Sequence, residues 1–195
     1  MGNSTYIANA GTFLISTLFG IYLLIVMLRL LLQVVRADFY NPVSQLLVKA
    51  TSPVLAPLRR IIPGVGGIDW ASIVLLLVLQ MVELTLILSV LGYVPTFSGL
   101  IIWSVAQLLD LLLKVFIFSI LIVVVLSWIA PNTYHPVNAL LHQLTNPVLR
   151  PARRMIPPMG GFDLSPIAAF IVLELISMLV VAPLMDLGQR LAMGG

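Results

Sequence analysis

The chain has 195 residues, 61% of them hydrophobic and 9% charged, with a net charge of +3 and a mean hydropathy of +1.14. Soluble domains carry about 45–50% apolar and about 25% charged residues, so composition excludes a water-soluble globule, which would have to expose large apolar patches. The small, scattered positive charge excludes a nucleic-acid binder, and the absence of cysteine removes disulfides, thiolate catalysis, Fe–S clusters and c-type haem attachment.

The first apolar run is expected to span the bilayer over about residues 11–35, since about 20 apolar residues suffice to cross. The preceding MGNSTYIANAGTF holds no Lys or Arg. It lacks the basic n-region of a cleaved signal peptide, so this span is expected to stay in the mature protein. Arg29 lies late in the span, seven residues before Arg36, and is expected to snorkel toward the cytoplasmic headgroups. In the linker that follows, Asn41-Pro42 is an N-cap with proline at the first helical position, and Ser52-Pro53 repeats the signal. The linker therefore reads as two short interfacial helices broken at a proline, with apolar residues gathered on one side of VSQLLVKA. It closes on PLRRIIPGVGGID (residues 57–69). There Arg59 and Arg60 mark the cytoplasmic face and meet anionic lipid, or hold a specific phosphate or headgroup between the repeats, or dock a partner protein; Gly66 and Gly67 make a turn, and Asp69 caps the next span at the positive end of its dipole. Asp69 could also pair with the arginines of its linker.

The second span is expected over residues 70–92, with Glu83 ~21 Å along it from Asp69. GYVPTFSG (residues 92–99) is a turn-rich break. The third run ends near residue 129 and begins between residues 99 and 111, with about 106–129 as its expected membrane segment. A helix from residue 99 would be about 46 Å long against a ~30 Å hydrocarbon core, so it either tilts and protrudes or starts along the interface. Asp110 and Lys114 are i,i+4 neighbours on it. Lys114 lies ~24 Å from its cytoplasmic end, at the depth of Glu83, so those two are candidates to pair across helices.

The second linker carries His135-Pro136, Asn146-Pro147 and PARRMIPPMGGFD (residues 151–163), hence Arg153, Arg154, Gly160, Gly161 and Asp163 in the roles given above. The fourth span, about residues 164–185, contains Glu174. Placing a charge at the bilayer centre costs at least ~2.5–3.5 kcal/mol. Arg29, Glu83, Asp110, Lys114 and Glu174 are the candidates; they read as structural ion pairs and interfacial side chains, or Glu83, Glu174 and Lys114, with Gln80, as the lining of a proton or small-ion path. His135 and His142 stand seven apart with no Cys or carboxylate cluster, so no metal and no cofactor is expected. There is no Walker loop, no HExxH and no nucleophile–base–acid set, and no catalytic residue is assigned.

The chain repeats at an offset of 94 residues: over residues 51–73, 13 of 23 positions are identical to residues 145–167. Each unit, residues 1–94 and 95–195, is span, polar linker, span. The expected fold is an all-α membrane protein of four transmembrane helices in two helical hairpins with the same orientation, related by an axis along the membrane normal. The charges inside the spans do not match between units: Glu83 aligns with Ser177, Glu174 with Gln80 and Lys114 with Gly20, which speaks against a symmetric pore. Seven of the ten Lys and Arg lie in the two linkers, which places both linkers in the cytoplasm and both termini outside.

Two-span units with P-x-x-x-P-[LA]-R-R-x-I-P-x-x-G-G-[IF]-D, at residues 53–69 and 147–163, resemble the YggT family of bacterial membrane proteins, in its duplicated proteobacterial form. The second unit has the family-like Ser127-Trp128 at the end of its first span. The first unit has Val34 in place of Trp128, but carries Arg29, resembling the family's arginine late in that span. The resemblance implies a non-enzymatic protein of the bacterial inner membrane, linked to osmotic or salt-stress tolerance, to cytochrome complex biogenesis in photosynthetic membranes, or to cell division. Anionic lipid headgroups, a membrane-protein partner or a second copy are the expected partners. Two functions follow as expectations: a scaffold or assembly factor acting through its linkers, or an ion or solute transporter using its intramembrane charges.

Overall fold

A computed structural model describes residues 2–129, 135–156 and 163–194, and these residues are all-helical apart from short connections. Helix α1 (Gly2–Val34) leads to the linker helix α2 (Pro42–Ile61), α3 (Trp70–Val90) and α4 (Phe97–Ile129). The second linker helix α5 (Pro136–Met155) and α6 (Ser165–Ile176) follow. A π-helical turn, Ser177–Val181, joins α6 to α7 (Ala182–Met193). Among the described residues, four helical segments are long and apolar enough to cross a bilayer: Thr5–Val34, Trp70–Val90, Phe97–Ile129 and Ser165–Met193. The chain is a multi-pass membrane protein built as two helical hairpins.

Three of these segments exceed their expected lengths. The third is one unbroken helix of 33 residues, about 50 Å at 1.5 Å per residue, so the protruding form is realised. The fourth runs on to Met193. Its ladder meets Pro183, whose ring clashes with the carbonyl four residues back. The π turn widens the helix just before it, with the Ala182 N–H bonding to the Ser177 carbonyl, and the helix continues without a break.

Each linker is also one helix, not two. Asn41 Oδ1 accepts the Val43 N–H at 3.0 Å and His135 Nδ1 accepts the Val137 N–H at 3.3 Å, so the first caps form as expected. The second caps do not: α2 passes through Pro53 and Pro57, and α5 through Pro147 and Pro151. In both helices these prolines lie on the exposed face, where a carbonyl freed by the missing N–H can be solvated. The buried stripe of α2, Ser44, Leu47, Thr51 and Leu55, keeps its packing.

The core follows from these faces. Leu23, Val26, Met27 and Leu31 of α1 meet Leu47 and Leu55 of α2, Ala71, Leu75 and Leu76 of α3, and Leu140 and Leu144 of α5 in one cluster. A second cluster sets Leu113 and Ile120 of α4 against Leu149 and Ala152 of α5, Ala169 and Leu173 of α6, and Val181. Thus α5 spends its first half on the first repeat and its second half on its own. At the opposite end, the Thr96 N–H and hydroxyl bond to the carbonyls of Ala192 and Leu191 at 3.1 and 2.6 Å. Here α4 and α7 touch backbone to backbone: a Cβ on Gly99 would lie 2.1 Å from the Ala192 nitrogen, and one on Gly188 2.5 Å from the Trp103 nitrogen. Gly188-x-x-x-Ala192 is a small-residue stripe of the kind that lets membrane helices approach closely.

Candidate functional site

The two linkers meet at one end of the bundle. Asn41 Nδ2 donates to the Pro136 carbonyl at 2.8 Å, and the Asp38 N–H donates to Gln143 Oε1 at 3.3 Å. Each linker helix ends in its Arg-Arg pair, and the two arginines of each pair divide. Arg59 reaches back to Asp69, donating from Nε at 3.1 Å and also from Nη2. Arg153 donates from Nε to Asp163 at 2.9 Å. Each helix end is thereby clasped to the start of the next span, in the first linker across the Gly66-Gly67 turn. Arg60 and Arg154 are exposed, without an ion-pair partner among the described residues, and Arg36, Lys49 and Arg150 of the linkers are exposed too.

The turn between Arg59 and Asp69 needs glycine. Gly66 and Gly67 have φ of +67° and +81°, and Val65 pairs with Ile68 across them; two successive positive φ values belong to a tight reversal that side chains with a Cβ resist. Gly160 and Gly161 lie outside the described residues.

Both aspartates accept from an arginine of their linker and from a serine that follows. Asp69 is 3% exposed, does not cap a backbone N–H of α3, and accepts the Ser72 hydroxyl at 2.6 Å. Burial pushes its carboxyl up, but the donors from Arg59 and Ser72 outweigh this and hold it below the ordinary carboxylate range. Asp163 is likewise held low: burial opposes, and Ser165 and Arg153 prevail. It does accept one helix-start N–H, from Ser165 at 3.0 Å, so capping and pairing coexist there.

Of the charges inside the spans, Asp110 and Lys114 pair with each other, and the rest do not join them. Arg29 is not exposed at the end of α1: it is 5% exposed, covered by α2, and Nη1 donates to the Thr51 hydroxyl, which itself donates to the Leu47 carbonyl at 2.7 Å. Lys114 faces outward and pairs with Asp110 at 2.6 Å, so the expected Glu83–Lys114 contact is not made. Glu83 is buried between α3 and α4, where Gln80 Nε2 donates to it at 2.9 Å and to Gln107 Oε1 at 2.5 Å. Glu174 is half-buried on α6, apart from that cluster. Thr51, Ser72 and Gln107 complete these networks and escape a reading based on charges. Thr51 recurs as Thr145, a signal of its role; Gln107 gave none.

A family model described as CCB3/YggT matches the chain twice, over residues 8–90 and 102–184, a displacement equal to the internal offset. The YggT protein of Escherichia coli K12, described as uncharacterized, is 39% identical over 189 residues, 95% of this chain and 97% of that protein. An uncharacterized protein of Pseudomonas aeruginosa is 51% identical over 175 residues, 89% of each chain. The uncharacterized ycf19 protein of Guillardia theta matches 69 residues at 36% identity, 35% of this chain but 76% of that protein, a match on the scale of one repeat. No solved structure matches the chain.

Proposed function

The chain belongs to the CCB3/YggT family, and on that premise we propose that it is a non-enzymatic scaffold or assembly factor of the bacterial inner membrane. Its linkers face the cytoplasm and its termini the periplasm, a reading that rests on the excess of Lys and Arg in the linkers. The family resemblance links it to osmotic-stress tolerance. One observation carries the scaffold reading: each linker commits one arginine to an internal aspartate and leaves the next exposed. Arg60, Arg154, Arg150 and Lys49 then form a basic face, gaining about 1 kcal/mol each from an anionic leaflet, on which a membrane-protein partner or a second copy can also dock.

The test separates the two kinds of arginine. Arg60→Gln with Arg154→Gln removes exposed charge and leaves both clasps intact. Loss of salt-stress complementation at unchanged protein level is expected; full complementation would overturn the reading. The second reading, transport of a proton or small ion, is favoured by the buried Gln80–Glu83–Gln107 cluster. It is weakened by Lys114 and Glu174 standing outside that cluster. Under it, Glu83→Gln and not the arginine changes abolishes complementation.

A further inference from the structure

The second linker helix carries a cavity of about 270 Å³ that the first reading of the site does not use. It is lined by His142, Gln143, Thr145, Asn146, Leu149 and Arg153. The same positions of the first linker are differently furnished. His142 and Asn146 stand where α2 has Val48 and Ser52, and the Ser52 hydroxyl is turned onto the Val48 carbonyl at 2.6 Å. The two clasping arginines differ too. Arg59 spends Nε and Nη2 on Asp69, with Gln33 Oε1 3.5 Å from Nη2. Arg153 spends only Nε, and where the first repeat has Gln33 the second has Ser127, whose hydroxyl bonds to the Val124 carbonyl at 2.7 Å. Both terminal nitrogens of Arg153 therefore lack an acceptor among the described residues, and its side chain lines the cavity.

We infer that this cavity binds a phosphate group. The free edge of Arg153 offers the planar fork that oxyanions take in bidentate fashion. Asn146, Gln143 and His142 supply further donors around it, and Leu149 with the buried Thr145 forms the floor. The volume falls just short of the ~300–1,000 Å³ of pockets that enclose a whole small molecule. It suits the phosphate of a lipid headgroup or of a small soluble ester. This inference rests on the proposed reading that the linkers lie against the lipid headgroups, and it narrows that reading from a charged face to one site in one repeat.

Full-length protein in detergent is titrated with phosphatidylglycerol and, separately, with inorganic phosphate, and the adducts are followed by native mass spectrometry. One saturable phosphatidylglycerol adduct is expected. His142→Leu with Asn146→Leu, which leaves the Arg153–Asp163 clasp in place, should weaken it by about tenfold or more, as loss of hydrogen bonds to a charged group does. Arg153→Lys, which keeps the charge but not the fork, should weaken it as well. Arg60→Gln with Arg154→Gln should leave it in place. Displacement of the lipid adduct by inorganic phosphate identifies a soluble phosphate as the natural occupant; its persistence identifies the headgroup. Equal adducts in the wild type and the His142/Asn146 variant overturn the site. If only the Arg60/Arg154 variant loses adducts, the basic-face reading stands and the cavity proposal falls. If no variant loses any, both fall.

Discussion

Asp69 and Asp163 hold equivalent positions 94 residues apart, yet their surroundings differ. Asp69 is buried and takes the Ser72 hydroxyl as well as Arg59; the second repeat has Pro166 in place of Ser72, and its ion pair is open, with side chains 43% and 34% exposed. Hydrogen bonds to a charged group contribute about 1.5–3 kcal/mol when buried, whereas exposed ion pairs contribute about 0–1. Asp69→Asn should therefore lower the thermal stability of the purified protein clearly, and Asp163→Asn little. The pH dependence follows in sign. A carboxyl held below its unfolded value of about 3.9 stabilises above that pH, and the contribution is lost as pH falls through the folded value. The stability gap between wild type and Asp69→Asn should be full at pH 7 and close as the solution is taken below about pH 4. A gap that persists there would show that shape, not charge, is what Asp69 supplies. Arg29 gives the complementary case. Replacing a buried ion by an apolar side chain of similar size is often neutral or stabilising, while stripping its partner is costly. Thr51→Val should thus cost more stability than Arg29→Met, by about 1–3 kcal/mol.

At the scale of the helices, the tightest contact is the crossing of α4 and α7. Gly99 and Gly188 each face a backbone nitrogen of the other helix, which no rotamer change can move aside. Gly99→Ala or Gly188→Ala must push the helices apart, at about 1–3 kcal/mol for overpacking. The expected outcome is a lower unfolding temperature for each, and faster proteolysis at the Thr96 loop, which hangs on the Leu191 and Ala192 carbonyls. Gly11→Ala, whose Cβ would meet only Val90 Cγ1 at an ordinary 3.8 Å, is the control that should stay silent. How far such features were legible varies with their cause. Four spans, two hairpins and the first caps at Asn41 and His135 can be read from hydropathy and local turn chemistry. The span ends cannot, because α4 and α7 extend beyond the apolar run by holding on to each other. The linker prolines misled for a similar reason: Pro53 breaks a helix in isolation, but here it lies on the exposed side of a helix whose other side is anchored by Leu47, Thr51 and Leu55. The Arg59–Asp69 clasp was among the expected arrangements. Arg29 under Thr51 was not, since nothing in α1 alone says that α2 folds over its end.

The whole molecule is a duplication whose halves share their linker plan and differ at several polar positions around it. Thr51 and Thr145 both donate to the carbonyl four residues back, and both linkers end in the same Arg–Asp clasp. But Arg29 becomes Val123, Gln33 becomes Ser127 and Ser72 becomes Pro166. Shared linkers with unlike polar residues around them point to an axis that organises the fold and to chemistry that does not obey it. That axis makes a firm statement about sidedness. The Asn41–Pro136 and Asp38–Gln143 bonds put both linkers at one end of the bundle, and the Thr96–Leu191 bond puts the α3–α4 turn and the end of α7 together at the other. Any membrane orientation must therefore place Arg60 and Arg154 on one side and Tyr93 and Gln189 on the opposite one. The linkers hold seven of ten basic residues, and the proposed orientation puts their side in the cytoplasm. The chain has no cysteine, so single substitutions report cleanly. Tyr93→Cys and Gln189→Cys should react with a membrane-impermeant maleimide added to cells with a permeabilised outer membrane; Arg60→Cys and Arg154→Cys should react only in inverted inner-membrane vesicles. The reverse pattern for all four would turn the molecule over and remove the anionic cytoplasmic leaflet from its basic face. A split in which Arg60→Cys and Arg154→Cys label from opposite sides would break the parallel duplication itself.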